Sequence, residues 1–418
     1  MSPRSDAAAA PAGGKAPAAP AGGDGSPALT AGLAAGAPDS LLAWRAEFPI
    51  LAGTTYMISN SLGAMPRGVY DALREYADVW ATRGVRAWDE GWWELAAEVG
   101  DLLGVLLGAA PGSISMLPNV TLAEAVVLSC FDLDGPRRKI VYEELNFPSV
   151  RYFYQELRAR GAEITVVPSR DGIGIELEDL LAAIDERTLL VPVSHVIYKS
   201  AFVQDAAAIA ERAARVGAHV VLDVYQSAGT VPVDLAALGV SFAVGGSIKW
   251  LCGGPGAGYL YVRPDLAPRL APRLTGWMAH VRPFAFEPEL VRREDAYRFL
   301  NGTPSIANLY IARVGYRILR KIGIAAVRAK SLRQTALLIR LADELGLPVR
   351  TPRDPERRGG TVSVDVPDGA RVARELNRRD VVVDYRPGAG VRLSPHFYST
   401  DEECERALRE LAVVAGSA

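Results

Sequence analysis

Between residues 139 and 262 one pattern recurs, and it fixes the fold class. Short runs rich in β-branched residues ("KIVYEE", "EITVVPS", "TLLVPVSHV", "HVVLDVYQ", "FAVGGS", "AGYLYVR") read as strands. Helical segments such as "VRYFYQELRARG" and "DAAAIAERAARVG" stand between several of them. Strands alternating with helices need crossover connections, and those produce a mostly parallel sheet covered on both faces. Upstream, "VYDALREYADVWATRG" and "WWELAAEVGDLLGVLLGA" have helical periodicity. After residue 305 a long helical stretch leads to "GGTVSVDVP", "GARVARELNRRD", "VVVDYRP", "GVRLSPHFY" and "DEECERALRELAVV", a smaller α+β unit with β-α-β-β-α order. The expected organisation is a tail over 1–38, a segment over 39–70 packing with the smaller unit, a large domain over 71–304 and a small domain over 305–418.

Composition narrows the function classes. With 418 residues and 49% hydrophobic content the chain can bury one large core and a smaller one. A formal net charge of −2 lacks the basic excess of a nucleic-acid binder. No apolar run approaches the roughly 20 residues of a membrane helix. Cys130, Cys252 and Cys404 are too widely spaced for a zinc site and odd in number, which suits a reducing cytoplasm. The four histidines show no short metal-ligand spacing, so no metal is expected. The Ala/Pro/Gly-rich tail offers few bulky side chains to bury and is expected to be disordered; it lacks the apolar centre of a signal peptide.

One lysine calls for an explanation. In "GGSIKWLCGGPGAGYLYVRPD" Lys249 precedes the glycines, whereas a phosphate-binding P-loop has them first and a helix after. Open α/β sheets bind ligands beyond the carboxyl ends of their strands. There the pattern places Asp223 at the end of "HVVLD", Tyr198 and Lys199 after "VPVSHVI", and Lys249 after "FAVGGS". Pyridoxal phosphate (PLP) uses such a pair, a lysine to bind its aldehyde and a carboxylate to keep its pyridine nitrogen protonated. Its phosphate suits a helix N-terminus, and "MLPNVTLAEAVVLSC" offers one, capped by Asn119 or Thr121, with Thr121 and Glu124 matching a capping box. On spacing alone, a solvated lysine and a turn aspartate fit as well.

From about residue 45 to 415 the chain resembles the class V aminotransferase-fold enzymes, kynureninases most closely. "ISNSLGAMPRGV", "RAWDEGWWELAAEVGDLLGVLLGA", "NFPSVRYF", "SHVIYKSAFVQD", "DVYQSAGTVPVDL", "SIKWLCGGPGAGYLYVRPDL", "GWMAHVRPFAF", "RFLNGTPSI" and "GVRLSPHFY" carry the resemblance in order. It implies the fold-type I PLP architecture, with a sheet of the seven-stranded type and a smaller C-terminal domain. It further implies that Lys249 bears the cofactor and shuttles protons, Asp223 pairs with the pyridinium nitrogen, Phe147 stacks on the ring and Tyr198 lies beside the ring's phenolic edge. Pro118 and Asn119 would contact the phosphate, as would Trp277 and Thr303 from the neighbouring subunit of a homodimer with shared sites. Arg392 would hold the α-carboxylate of an amino-acid substrate.

Two positions depart from the kynureninase pattern. Ile248 stands where the family has a phosphate-contacting tyrosine, and Gln226 where it has a histidine; Asp-x-x-Gln is similar to cysteine desulfurases, whose Gln bonds the phenolic oxygen. Desulfuration also needs a cysteine on a loop about a hundred residues after the lysine, and none lies between Cys252 and Cys404. Kynureninase-type hydrolysis needs room for an aryl ketone, and Trp88, Trp92, Trp93, Phe397 and Tyr398 are expected near the pocket entrance. The leading expectation is hydrolytic Cβ–Cγ cleavage of a kynurenine-like amino acid; a C–S lyase or aminotransferase is the second.

Overall fold

The computed structural model describes residues 39–416, and the Ala/Pro/Gly-rich tail lies outside them. Its main sheet has seven strands in the spatial order Ile114–Leu117, Gly258–Val262, Phe242–Gly246, His219–Asp223, Thr188–Ser194, Lys139–Glu143 and Glu163–Val167. The last five run parallel, and Gly258–Val262 is antiparallel to both its neighbours. Six of the seven strands are buried almost throughout, which explains their continuous apolar runs. The "AGYLYVR" strand returns from the loop after Lys249, so its first residue, Gly258, abuts the start of helix Val120–Leu128. A Cβ there would fall 2.8 Å from the Asn119 Cα, and glycine permits the contact.

A second apolar core gathers Met57, Leu338, Leu376, Val391 and Leu408 around a three-stranded antiparallel sheet, Asp384–Arg386, Gly390–Leu393 and Val362–Val364. Thr55–Tyr56 pairs parallel with Val381–Val382, while Phe48 and Leu51 pack into the larger core. Helices Ile306–Ile322 and Ile324–Glu344 run from one core to the other, turning at Gly323 with φ 83°. Among the described residues no helix is long and apolar enough to cross a membrane.

Several aromatic expectations are corrected. Phe397 and Tyr398 are buried against Phe48, Trp92 stacks on Tyr76, and Trp88 meets Trp92 edge-on. Trp93 packs on Trp277 and Tyr297. None of the five lines the cavity at the carboxyl edge of the sheet. Their size reports buried apolar area and not the face they occupy.

Candidate active site

At that carboxyl edge lies a cavity of about 230 Å³. Lys249, Asp223, Gln226, Tyr198, Phe147 and Asn119 all line it, although they come from five separate stretches of chain. A larger hollow of about 580 Å³ contains neither the lysine nor Asp223, and the Arg293 and Asp295 that line it pair with each other.

Lys249 sits in the turn that follows Phe242–Gly246. Gly63 N–H donates to the Ile248 carbonyl at 2.8 Å, and a Cβ on Gly63 would lie 2.1 Å from the Lys249 carbonyl oxygen. The "ISNSLG" segment therefore clasps the lysine turn, and only glycine allows so close an approach. The lysine is half-buried and lines the cavity. Its Nζ lies 4.2 Å from the Tyr225 ring centroid and 5.5 Å from that of Phe147. Among the described residues it has no hydrogen bond or ion pair. Burial pushes its pKa down to about 8; Asp223 opposes this and Arg392 reinforces it.

Asp223 ends its strand and accepts the Tyr225 N–H at 2.8 Å. Burial raises its pKa to about 6, against that bond and the attraction of Lys249. Amine and carboxylate thus face one cavity without touching, as groups do that address two points of one ligand.

Asn119 is the true cap of helix Val120–Leu128, its Oδ1 accepting the Leu122 N–H at 3.0 Å. The first-turn N–H groups of Val120 and Thr121 remain without intrahelical partners where both residues line the cavity, a setting that favours a phosphate. The capping-box expectation fails: Glu124 points inward, accepting a hydrogen bond from the Tyr154 hydroxyl, and its Oε1 has no partner. Burial, with the Asp223 charge adding, raises Glu124 to about 8. An acid whose folded pKa exceeds its usual value near 4.5 stabilises most below pH 4.5, and that contribution is lost as pH climbs toward 8. Glu124→Gln keeps an acceptor for Tyr154 and sheds this loss. We expect thermal unfolding to show the variant gaining about 1–3 kcal/mol at pH 8, and less at pH 6. Equal gains at both pH values would mean that Glu124 is ionised in the fold.

The remaining expectations divide. Tyr198 lines the cavity edge-on to Phe147 at 5.2 Å. Pro118 is exposed and does not line it; Val120 and Thr121 take that place. Arg392 is buried behind Tyr198, donating to its carbonyl at 2.7 Å, while Nε and Nη2 grip Asp384. Sequence reasoning missed Asp384, although a hairpin through "RPGAG" sets it directly opposite Arg392. Trp277 and Thr303 are exposed and lie away from this chain's own cavity. Also missed was Asn60, whose side-chain amide is buried with both polar atoms unpartnered and whose carbonyl accepts from Gln226.

An unpaired amine, a buried carboxylate on the same cavity, a flanking aromatic ring and free helix N–H groups match PLP's aldehyde, ring nitrogen, π-face and phosphate. The fold and this site define a PLP-dependent enzyme of fold type I. The aminotransferase class-V profile matches residues 55–406, and the chain belongs to that family. It is 33% identical to a kynureninase of Pseudomonas fluorescens over 369 residues, 85% of this chain and 87% of that protein. To the uncharacterized aminotransferase YcbU of Bacillus subtilis (strain 168) it is 31% identical over 88% of this chain and 96% of the other. Among solved structures, the apo cysteine desulfurase of Thermococcus onnurineus NA1 superposes with a TM-score of 0.79 at 23% identity, covering 90% and 98% of the two chains. The cystine C-S lyase C-DES, in complex with its product cysteine persulfide, gives 0.79 at 22% identity, covering 87% and 99%. At such identities these two likenesses concern the fold.

Proposed function

We propose that this enzyme hydrolyses the Cβ–Cγ bond of a kynurenine-like amino acid. The observation that carries the reading is the 33% identity to a kynureninase across most of both chains. Bound PLP supplies an electron sink for bonds at the substrate's Cα and Cβ. The chain's own groups do the rest. Lys249 anchors the cofactor and, with its pKa near 8, exchanges protons with the substrate carbons. Of the other residues lining the cavity, Asp223 would hold a proton on the ring nitrogen, Phe147 would cover a ring face, and Gln226 and Tyr198 would serve the phenolic oxygen. Arg392 gives Nε and Nη2 to Asp384 and one Nη1 hydrogen to the Tyr198 carbonyl, and the one hydrogen left on each Nη would serve a substrate carboxylate.

A second reading, C–S lyase or aminotransferase, draws on Gln226 and on the YcbU match. Persulfide chemistry on a protein cysteine fits poorly, because burial pushes the Cys130 and Cys252 thiols up to about 12 and Cys404 higher still. Ile248 cannot donate to the phosphate, and Gln226 does not titrate. Anthranilate release from kynurenine is therefore expected to be slow, and Ile248→Tyr with Gln226→His to raise it about tenfold. Anthranilate fluorescence measures this. Pyruvate from a cysteine conjugate, with no anthranilate from kynurenine and no 3-hydroxyanthranilate from 3-hydroxykynurenine, would replace the first reading by the second.

We also propose a homodimer in which Trp277 and Thr303 serve the partner's phosphate. Mixing Lys249→Ala chains with Thr303→Ala chains should restore activity above either parent, and a fully active monomer on sizing would refute it.

A further inference from the structure

Gln226 lines the cofactor cavity, and both ends of its amide are held from behind. Its Oε1 accepts the Trp250 indole N–H at 3.0 Å, and its Nε2 donates to the Asn60 carbonyl at 3.0 Å. An indole nitrogen can only donate and a carbonyl can only accept. The amide therefore has one orientation: a flip would set N–H against N–H and C=O against C=O in a buried place. Nε2 carries two hydrogens and Asn60 takes one.

Trp250 is itself held firmly. It is fully buried, its carbonyl accepts the His396 Nε2–H at 2.8 Å, and the two rings meet edge-on at 5.3 Å. Gly360 leaves room for the indole, since a Cβ there would fall 2.8 Å from Cη2.

We propose that Trp250 is a positioning residue: it fixes the Gln226 amide so that nitrogen, not oxygen, faces the phenolic oxygen of bound PLP. Such a donor spreads negative charge off that oxygen and weakens its hold on the proton of the neighbouring lysine linkage. The linkage then loses its proton at lower pH than it would without the donor. Because an amide does not titrate, the donor is present at every working pH, unlike an imidazole.

The test titrates the visible absorption band of PLP-reconstituted holoenzyme and needs no substrate, so it succeeds or fails independently of which bond the enzyme cleaves. Asp223, Tyr225, Tyr198, Lys249 and Arg392 face the site alike in all variants, and His396 faces Trp250 in the wild type. Trp250→Phe removes the N–H and should raise the midpoint by about one pH unit. Gln226→Met, with no donor at all, should raise it at least as far. In the double variant the Trp250 change should add nothing, because its effect passes through Gln226. Should phenylalanine prevent folding, 3-benzothienylalanine placed at 250 keeps the ring shape without the donor. An unchanged midpoint, or a shift that persists in full when residue 226 is already methionine, overturns the proposal.

Discussion

Lys249→Ala should lower turnover by about 10²–10⁴-fold, the range of a lost acid–base group, while the fold and the cavity survive. The side chain makes no hydrogen bond or ion pair among the described residues, so its removal breaks no network. What it does remove is the one lysine amine that, among the described residues, lines the cavity together with Asp223. Borohydride reduction of the wild-type holoenzyme should fix PLP to the peptide containing Lys249 and erase the visible band. The alanine variant should take up no label there, and a small primary amine such as ethylamine should restore part of the lost proton transfer. Labelling of Lys199, the other lysine near a strand end, would overturn the assignment. Lys199 is the natural control, since it follows Tyr198 on the neighbouring connection but does not line the cavity.

What the sequence made legible was whatever a strand end dictates. Asp223 and Lys249 follow buried parallel strands, and a parallel sheet delivers all its carboxyl ends to one edge. The fold class was readable because a strand–helix repeat of that length has few packings. Long-range partnerships were not. Glu124 stands three residues after Thr121, and T-x-x-E spacing reads as a capping box. Its actual partner, Tyr154, lies on the next helix, where nothing local announces it. Arg392 looked free for substrate because its ion pair is a cross-strand one. A register through "DYRPGAGVRL" would have exposed it, since antiparallel neighbours on one face interact directly. The aromatic residues near 90 and 397 misled for a different reason. Core and pocket both recruit large rings, and only packing tells which is which.

Asp223→Asn should retain PLP and lose turnover by about ten- to a hundredfold, with its largest effect on kcat. The carboxylate is buried and lines the cavity, where in the proposed role it would accept a pyridinium N–H. A charge-assisted hydrogen bond of about 1.5–3 kcal/mol would hold that proton in place. Asparagine offers a neutral oxygen, which leaves the ring nitrogen unprotonated and the ring a poorer acceptor of the electrons released at the substrate carbons. Phosphate contacts and the lysine link do not depend on Asp223, so binding survives. The pH profile separates this role from a structural one. Burial puts the Asp223 pKa at about 6, and a cation on the ring nitrogen would draw it lower. As pH falls through that value the wild-type carboxylate takes up a proton, its attraction for the pyridinium is lost, and kcat should decline on the acid side. The asparagine variant, with nothing to titrate at 223, should be uniformly slow and lack that limb. An acid limb of unchanged position in Asp223→Asn, or near-normal turnover, would show that Asp223 does not set the charge of the ring.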